Sequence, residues 1–562
     1  MVRFTLFLVI LVLSSTRITA PTTAQSPERP FILPVQGDPG PATWLFGQAY
    51  GNTTGAFNFG TEWYSAGQGL HFGIDLPMPC GTPLVAMADG EVAFSDNLSF
   101  GSGPHNLLIL HPEQQVIALY GHLLQPPSLM PGDPVRQGEV IALSGDPDET
   151  CDSRPHLHLE IRGLNYRTAL NPFDYIQANW HMLASLPAFG TPLFQGDMMN
   201  ARRWMSLEDQ PDTAFGGARL NAYGLAWPLP NQLRLPSNPV LNRPFSPIEP
   251  DASVTLRTLG YDQCCWQRWW HPSNPDLFYV IDGQENQRAG VFEWSATTGV
   301  NGLIGEAPPA VTSPDGTYQI FNNGTQTVIR RISDGSEVAV NTNGATPALS
   351  TDNSKLVWTV RGGASVPGQA APASTVYVSN LEGTNTRAVV AEPGASASWL
   401  DADRLLVSIP QPGRITTLAA FDTRSDTRFD LGTWRNIRAL SIAPGGGHLM
   451  YMLQWQEDPA QNGIWTLETT EAAVPQQLPW FGGWRWRDAE SVFYLPLDVT
   501  SPYHTLAYYH IPTGENRVLV TPDELAFTIM NGDWDVSADG RRILFMNATD
   551  RNMAVLEITS DQ

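Results

Sequence analysis

Lysine is nearly missing from this 562-residue chain; Lys355 is the only one. Lys and Arg together number 32 against 55 Asp and Glu, a formal net charge of -23. A chain so poor in cations is not built to neutralise phosphates. That excludes nucleic acid as a partner, and anchoring to an acidic membrane surface by basic patches. Charge of either sign is scarce, at 15% of residues, while Gly (49) and Pro (47) abound. Long salt-bridged helices are therefore not expected, and many turns and short strands are. Long apolar runs are missing too, apart from Phe4–Leu13. As a helix that run is about 15 Å long, half the ~30 Å of a bilayer core. With Arg3 before it and small residues after it, it reads as an export signal over residues 1–24, cleaved after Ala24, with an uncleaved anchor as the alternative. No further span is expected.

What is present is concentrated in two short stretches. In Arg154-Pro-His-Leu-His-Leu-Glu-Ile161, read as a strand, His156, His158 and Glu160 share one face, and Leu157, Leu159 and Ile161 the other. In Leu70–Leu76, His71, Gly73 and Asp75 share a face opposite Leu70, Phe72, Ile74 and Leu76, and Gly73 is read as leaving space between the polar pair. Laid side by side, the two strands present imidazoles and a carboxylate on an apolar backing, a zinc site in outline. Tyr120-Gly-His122-Leu, at the end of another strand, adds a third piece. Three such ligands leave a coordination position open, which marks a catalytic rather than a structural zinc. Four cysteines suit an exported protein. Cys80 lies five residues after Asp75 and Cys151 five before His156, so a bridge between them would bracket the site; two thiols or another pairing remain open. Cys264 and Cys265 read as structural.

Taken in order, residues 25–68 form an irregular arm. Residues 69–176 form a compact all-β domain of short strands. Residues 177–252 are a Pro-rich linker with a short helix within Gln177–Ser185. Residues 253–562 carry a repeat. There a turn with Pro or Asp and Gly precedes a short apolar strand seven times, as in Ser313-Pro-Asp-Gly316 and Ser537-Ala-Asp-Gly540. The spacing of about 37 to 51 residues is that of four-stranded propeller blades. Seven blades are expected, six being the alternative. The last turn leaves room for only two strands after it, so Ser253–Thr258 is expected to close the ring. The fold class is all-β: a small antiparallel β domain followed by a β-propeller.

The three polar pieces, in this order, resemble the M23 (lysostaphin/LytM-type) family of zinc endopeptidases. The resemblance covers about residues 65–176 and takes in Gly81-Thr-Pro-Leu-Val-Ala86, Asp89-Gly-Glu-Val92 and Pro131–Gly138. It implies an exported or cell-envelope bacterial enzyme that hydrolyses peptide bonds of peptidoglycan. It implies His71, Asp75 and His158 as ligands of one zinc, and His122 and His156 as catalytic histidines. The phrase Ser-Pro-Asp-Gly resembles TolB-like propeller repeats, which implies a fold and little about activity. The chain departs from the family at Gly145–Arg154, an acidic approach to the His-x-His strand with Arg154 beside the site. Cleavage specificity is expected to differ there. The propeller would bind glycan, peptide or protein.

Other readings were weighed against these. Glu160 is expected to support or be solvated rather than to ligate. His105 and His111 read as structural or groove-lining. His181, His271, His448, His504 and His510 show no metal spacing and read as surface or loop residues. Trp266–Trp270 and Trp480–Trp486 read as blade packing, with sugar stacking as the alternative. A non-enzymatic regulator of wall hydrolases, or a peptidase of other exported proteins, is the competing function. The first would have lost ligands, and all five motif residues are present.

Overall fold

The computed structural model describes residues 29–51, 53, 56, 70–186, 206–216, 243–260, 267–284, 287–306, 311–313, 315, 317–363 and 372–559. The export signal, Cys264, Cys265 and Trp266 lie outside these residues. Among the described residues no helix is long and apolar enough to cross a membrane.

The strands of the first domain are β1 (Ile74–Pro77), β2 (Pro83–Val85), β3 (Gly90–Ser95), β4 (Leu107–His111), β5 (Val116–Gly121), β6 (Pro134–Val135), β7 (Val140–Leu143), β8 (His156–Gly163), β9 (Thr168–Leu170) and β10 (Thr213–Ala214). Eight of them make one antiparallel sheet in the order β10-β9-β8-β5-β4-β3-β6, with β1 beside β8. β2 and β7 pair separately. The eight-residue β8 is the axis. One edge pairs with the whole of β5 along residues 158–163, Gly121 opposite His158. The other edge is shared, with β1 on the first half and β9 on the second. Period-2 alternation explains why this strand takes the centre. Leu157, Leu159 and Ile161 are fully buried in the core with Ile74, Leu76 and Tyr120. The polar alternates are thereby forced to the opposite face together.

Segments on either side in the sequence complete this domain. Residues 45–51 lie antiparallel to 71–77: Leu45 N–H donates to Pro77 O (3.1 Å), Gly47 N–H to Asp75 O (2.9 Å), and Gly51 and His71 exchange both bonds. Phe31, Trp44, Phe46 and Tyr50 are buried in its core. A short helix, α1 (Trp180–Leu183), is capped by Asn179 and buries Trp180 and Leu183 in the same core.

Seven four-stranded antiparallel sheets follow, so the ring has seven blades. Its closure is the one expected: Ser253–Gly260 (β11) pairs with the final strand, Met553–Thr559, completing the last blade from outside. The repeated turn has a physical basis. Ser313, Ser350 and Ser537 each donate a hydroxyl proton to the Asp two residues on and accept the backbone N–H five residues on. Each turn is thus closed by its own side chains before the apolar strand begins. Trp270, Trp480, Trp484 and Trp486 are buried, so they pack blades and offer no face for sugar stacking.

Two readings are corrected here. His504 is fully buried rather than on the surface; it accepts the Ile529 N–H (3.1 Å) inside the last blades. His510 is also buried, stacked on Phe245. Neither sits on a strand whose alternation announces burial of a polar side chain.

Candidate active site

β1 and β8 place Asp75 directly opposite His158. His71 reaches the same point from four residues earlier. Its ring nitrogen Nε2 lies 3.1 Å from Asp75 Oδ1 and 3.1 Å from His158 Nδ1, and His158 Nδ1 lies 2.9 Å from Asp75 Oδ1. All three residues are buried, and this is the metal-compatible group found among the described residues.

The outer atoms of the two rings fix what the inner atoms are. His71 Nδ1 lies 2.8 Å from Ala49 O, a pure acceptor, so its proton is on Nδ1. His158 Nε2 lies 3.0 Å from Glu160 Oε1, so its proton is on Nε2. Two imidazole lone pairs and a carboxylate oxygen therefore point at one another. Three acceptors within about 3 Å repel unless a cation or a proton sits among them. A donor set of two nitrogens and one oxygen on a buried backing fits zinc. The environment agrees. Burial would raise the Asp75 carboxyl, yet the facing imidazoles of His71 and His156 hold it well below its usual range. Burial opposes charge on His158, but the hydrogen bonds that the ring makes to Asp75 and Glu160 outweigh it and push the ring up to about 9. That ring keeps a proton where no cation takes its place.

The remaining two histidines face this cluster. His122 follows the end of β5 in a left-handed conformation (φ 55°), with its N–H donating to Ser102 O (3.1 Å). Its Nδ1–H donates to Gly103 O, which leaves Nε2 as the proton acceptor. The His122 ring lies 4.8 Å from that of His156 and 5.6 Å from that of His158. His156 Nδ1 lies 2.6 Å from Arg154 O, and its Nε2 lies 3.5 Å from Asp75 Oδ1. Burial, reinforced by neighbouring imidazoles, holds His122 well below the ordinary histidine value; burial lowers His156 as well. Both rings are neutral at pH 7 and able to accept a proton.

All five polar residues therefore meet at the floor of one open cavity of about 730 Å³. Its walls were less legible. Gln48 enters from the N-terminal arm and Phe215 from beyond the domain, its ring 4.6 Å from Phe72. Phe72, read as purely core-facing, thus also lines the cavity. Neither Gln48 nor Phe215 carries a spacing signal, since both arrive by tertiary pairing of irregular segments. Glu160 has the supporting place expected of it: buried, it accepts from His158 and from Arg162 Nε (2.7 Å). Gly73 has a further reason beyond the space expected between His71 and Asp75. A Cβ there would lie 2.3 Å from Leu159 O, so glycine is what lets this segment approach β8. His111 is buried with Nδ1 3.0 Å from Asp89 O, away from the cluster, and His105 pairs with Asp96 at 2.9 Å.

The loop Gly145–Arg154 lines one wall through Pro147 and Arg154. Asp146 organises it, accepting from Ser153 N (3.1 Å), Ser153 Oγ (2.7 Å) and Arg154 N (3.0 Å). The Cys80–Cys151 disulfide is formed and fastens the loop beside β1.

Residues 69–172 match the family model described as Peptidase family M23. Among curated proteins, the chain is 33% identical over 114 residues to the uncharacterized lipoprotein YgeR of Escherichia coli, covering 20% of this chain and 42% of that one. It is 39% identical over 93 residues to the DD-carboxypeptidase/endopeptidase Mpg of Neisseria meningitidis, covering 16% and 20% respectively. The chain spans less than half the length of these relatives. The solved catalytic domain of the antimicrobial peptidase lysostaphin from Staphylococcus simulans aligns at 25% identity over 23% of this chain and 90% of that one, with a TM-score of 0.19. The family match falls on the strands that carry the histidine and aspartate cluster: residues 69–172 are a domain of peptidase family M23.

Proposed function

We propose that this chain is an exported zinc endopeptidase that hydrolyses peptide bonds of bacterial peptidoglycan, with the propeller as a binding module. The observation that carries the reading is the convergence of His71 Nε2, Asp75 Oδ1 and His158 Nδ1 at the floor of an open cavity. His71, Asp75 and His158 would hold the zinc. When bound, it would supply Lewis acidity to a substrate carbonyl and make water acidic enough to be a nucleophile near pH 7.

The chain's own residues supply the rest. His122, held neutral and anchored through Nδ1 on Gly103 O, presents Nε2 to take a proton from the attacking water and pass it to the leaving amine. His156, anchored through Nδ1 on Arg154 O, turns Nε2 toward the cluster and, once that nitrogen has taken up a proton, would donate a hydrogen bond to the developing oxyanion. Export is supported by the N-terminal apolar run and by a disulfide at the site.

The test is metal content and digestion products of the secreted form, beside His158→Ala. One zinc per chain, with new peptide amino termini released from purified peptidoglycan and both lost in the variant, is the expected result. Cleavage of a protein substrate with peptidoglycan left intact would assign a different substrate. An absence of zinc from the wild-type chain would overturn the enzyme reading.

A further inference from the structure

The Gly145–Arg154 loop, which lines the cavity through Pro147 and Arg154, also meets the propeller. Arg435 Nη2 lies 3.4 Å from Asp152 Oδ1. Arg435 is not alone there. The Arg414 guanidinium stacks 5.6 Å from the Trp455 ring, and burial together with the charge of Arg435 lowers its pKa. Arg438 is half-buried and feels the charge of Arg414 in turn. The carboxylates that face Arg414 are Asp152 and Asp146. Asp152 is shared with Arg435, and Asp146 is engaged by the loop's own N–H and hydroxyl groups. Three guanidiniums thus crowd one spot of a chain whose net charge is -23.

Several buried polar side-chain atoms around this spot lack protein partners among the described residues. Arg414 Nε and Nη1 and Arg435 Nε have none. Asn436 and Gln454, 2% and 0% exposed, have none for either amide atom. They adjoin Arg414 through the backbone: Asn436 N–H donates to Arg414 O (2.9 Å), and Gln454 N–H to Asn436 O (3.4 Å). Trp455 is fixed from the other side, its N–H donating to Pro41 O and its Nε1–H to Thr43 O, both 3.1 Å. Buried polar groups without partners are destabilising, and crowded like charges add to that. A structure that keeps such a donor-rich cluster beside its active-site loop has a use for it.

We propose that Arg414 and Arg435 form a carboxylate-binding subsite for the peptide substrate, at the junction of the propeller with the Gly145–Arg154 loop, with Asn436 and Gln454 buried beside them. The inference rests on the peptidase reading above and names the group that the propeller recognises. A planar carboxylate suits two guanidinium forks. The cluster touches, through Asp152, the same loop whose Pro147 and Arg154 line the cavity, which is the connection a bound peptide would follow.

Binding of trialanine and of its C-terminal amide to the full chain tests this, by isothermal titration. The acid is expected to bind about ten-fold tighter than the amide or better, in line with a charge-assisted fork. Arg414→Ala should bring the two ligands within about two-fold, and Arg414→Lys should lie between, with circular dichroism confirming the fold. Equal binding of acid and amide, or a preference that survives Arg414→Ala, overturns the proposal. Inorganic phosphate that binds more tightly than trialanine also overturns it, assigning the site to a phosphoanion. A preference for the acid in a chain that cleaves no peptidoglycan leaves this subsite standing and removes the proposed activity. Cleavage without the preference does the reverse.

Discussion

Single residues set the electronic state of the candidate metal site, and Glu160 does so without ligating. By accepting from His158 Nε2 it forces the lone pair of that ring onto Nδ1, toward Asp75 and His71. Arg162 holds Glu160 in place, and with His158 pulls its carboxyl down to about 2 against the effect of burial. Glu160→Ala should therefore leave the fold intact yet weaken zinc by about 10–100-fold, measured by competition with a chromogenic chelator. Unchanged affinity would show that β8 packing alone orients the ring. His504 sets a different property. Burial, helped by the charge of His181, lowers it to about 3, against about 6.5 in an unfolded chain. Between those values the unfolded chain binds the extra proton, so stability falls as pH drops from about 6.5 toward 3. The slope is up to about 1.4 kcal/mol per pH unit. His504→Gln, which keeps an acceptor for Ile529 N–H, should flatten the acid side of the melting-temperature profile. An unchanged profile would locate the acid sensitivity elsewhere.

At the scale of elements, β1 and β8 were legible because a strand has one strict period. Once His71, Asp75, His156 and His158 alternate with apolar residues, burying the apolar set brings the polar set together. The blades were legible because each carries its own turn chemistry. The segment 45–51 was not. It pairs along 71–77 by backbone hydrogen bonds that depend on no side-chain pattern, and so Gln48 and the Ala49 carbonyl arrive at the site unannounced. The Gly145–Arg154 loop falls between these cases. Its cysteine is visible in the sequence, but its internal order rests on Asp146, whose bonds appear only in the folded structure. The bridge spans 71 residues, and by chain entropy a loop of that length contributes about 4 kcal/mol. Replacing Cys80 and Cys151 together by serine should lower the melting temperature and make the loop a site of limited proteolysis. Zinc should still bind, because no ligand lies between Gly145 and Arg154. A variant that melts like the wild type would assign loop order to Asp146 and to contact with the propeller.

At the scale of the molecule, the ring is packed against the peptidase domain rather than merely following it. Leu45 and Leu186 are buried in a cluster with Trp480, Trp484 and Trp486 of the propeller. Asn531 N–H reaches His181 Nδ1 (3.2 Å), Arg551 pairs with Asp209 at 2.9 Å, and Trp455 donates to Thr43 O. Two glycines permit the approach. A Cβ at Gly483 would lie 2.1 Å from Ser185 O, and one at Gly532 would lie 2.0 Å from Ala184 O. Both contacts are with backbone, which cannot swing aside. Gly532 also has φ +67°, strained for any other residue. No sequence period marks these positions, because a docking surface needs fit at a few points and not repetition. Gly483→Ala is the cleaner test, since its only new demand is space. If docking couples the two bodies, the wild type should unfold in one calorimetric transition. Gly483→Ala should split it into two, the earlier one removed from its wild-type temperature by several degrees. The same variant should raise KM for peptidoglycan more than it lowers kcat, because separation of the bodies moves the Arg414 and Arg435 side chains away from the Gly145–Arg154 loop and leaves the histidine cluster intact. Two transitions already present in the wild type would make the ring a tethered module, and the loop would then owe its position to the peptidase domain alone.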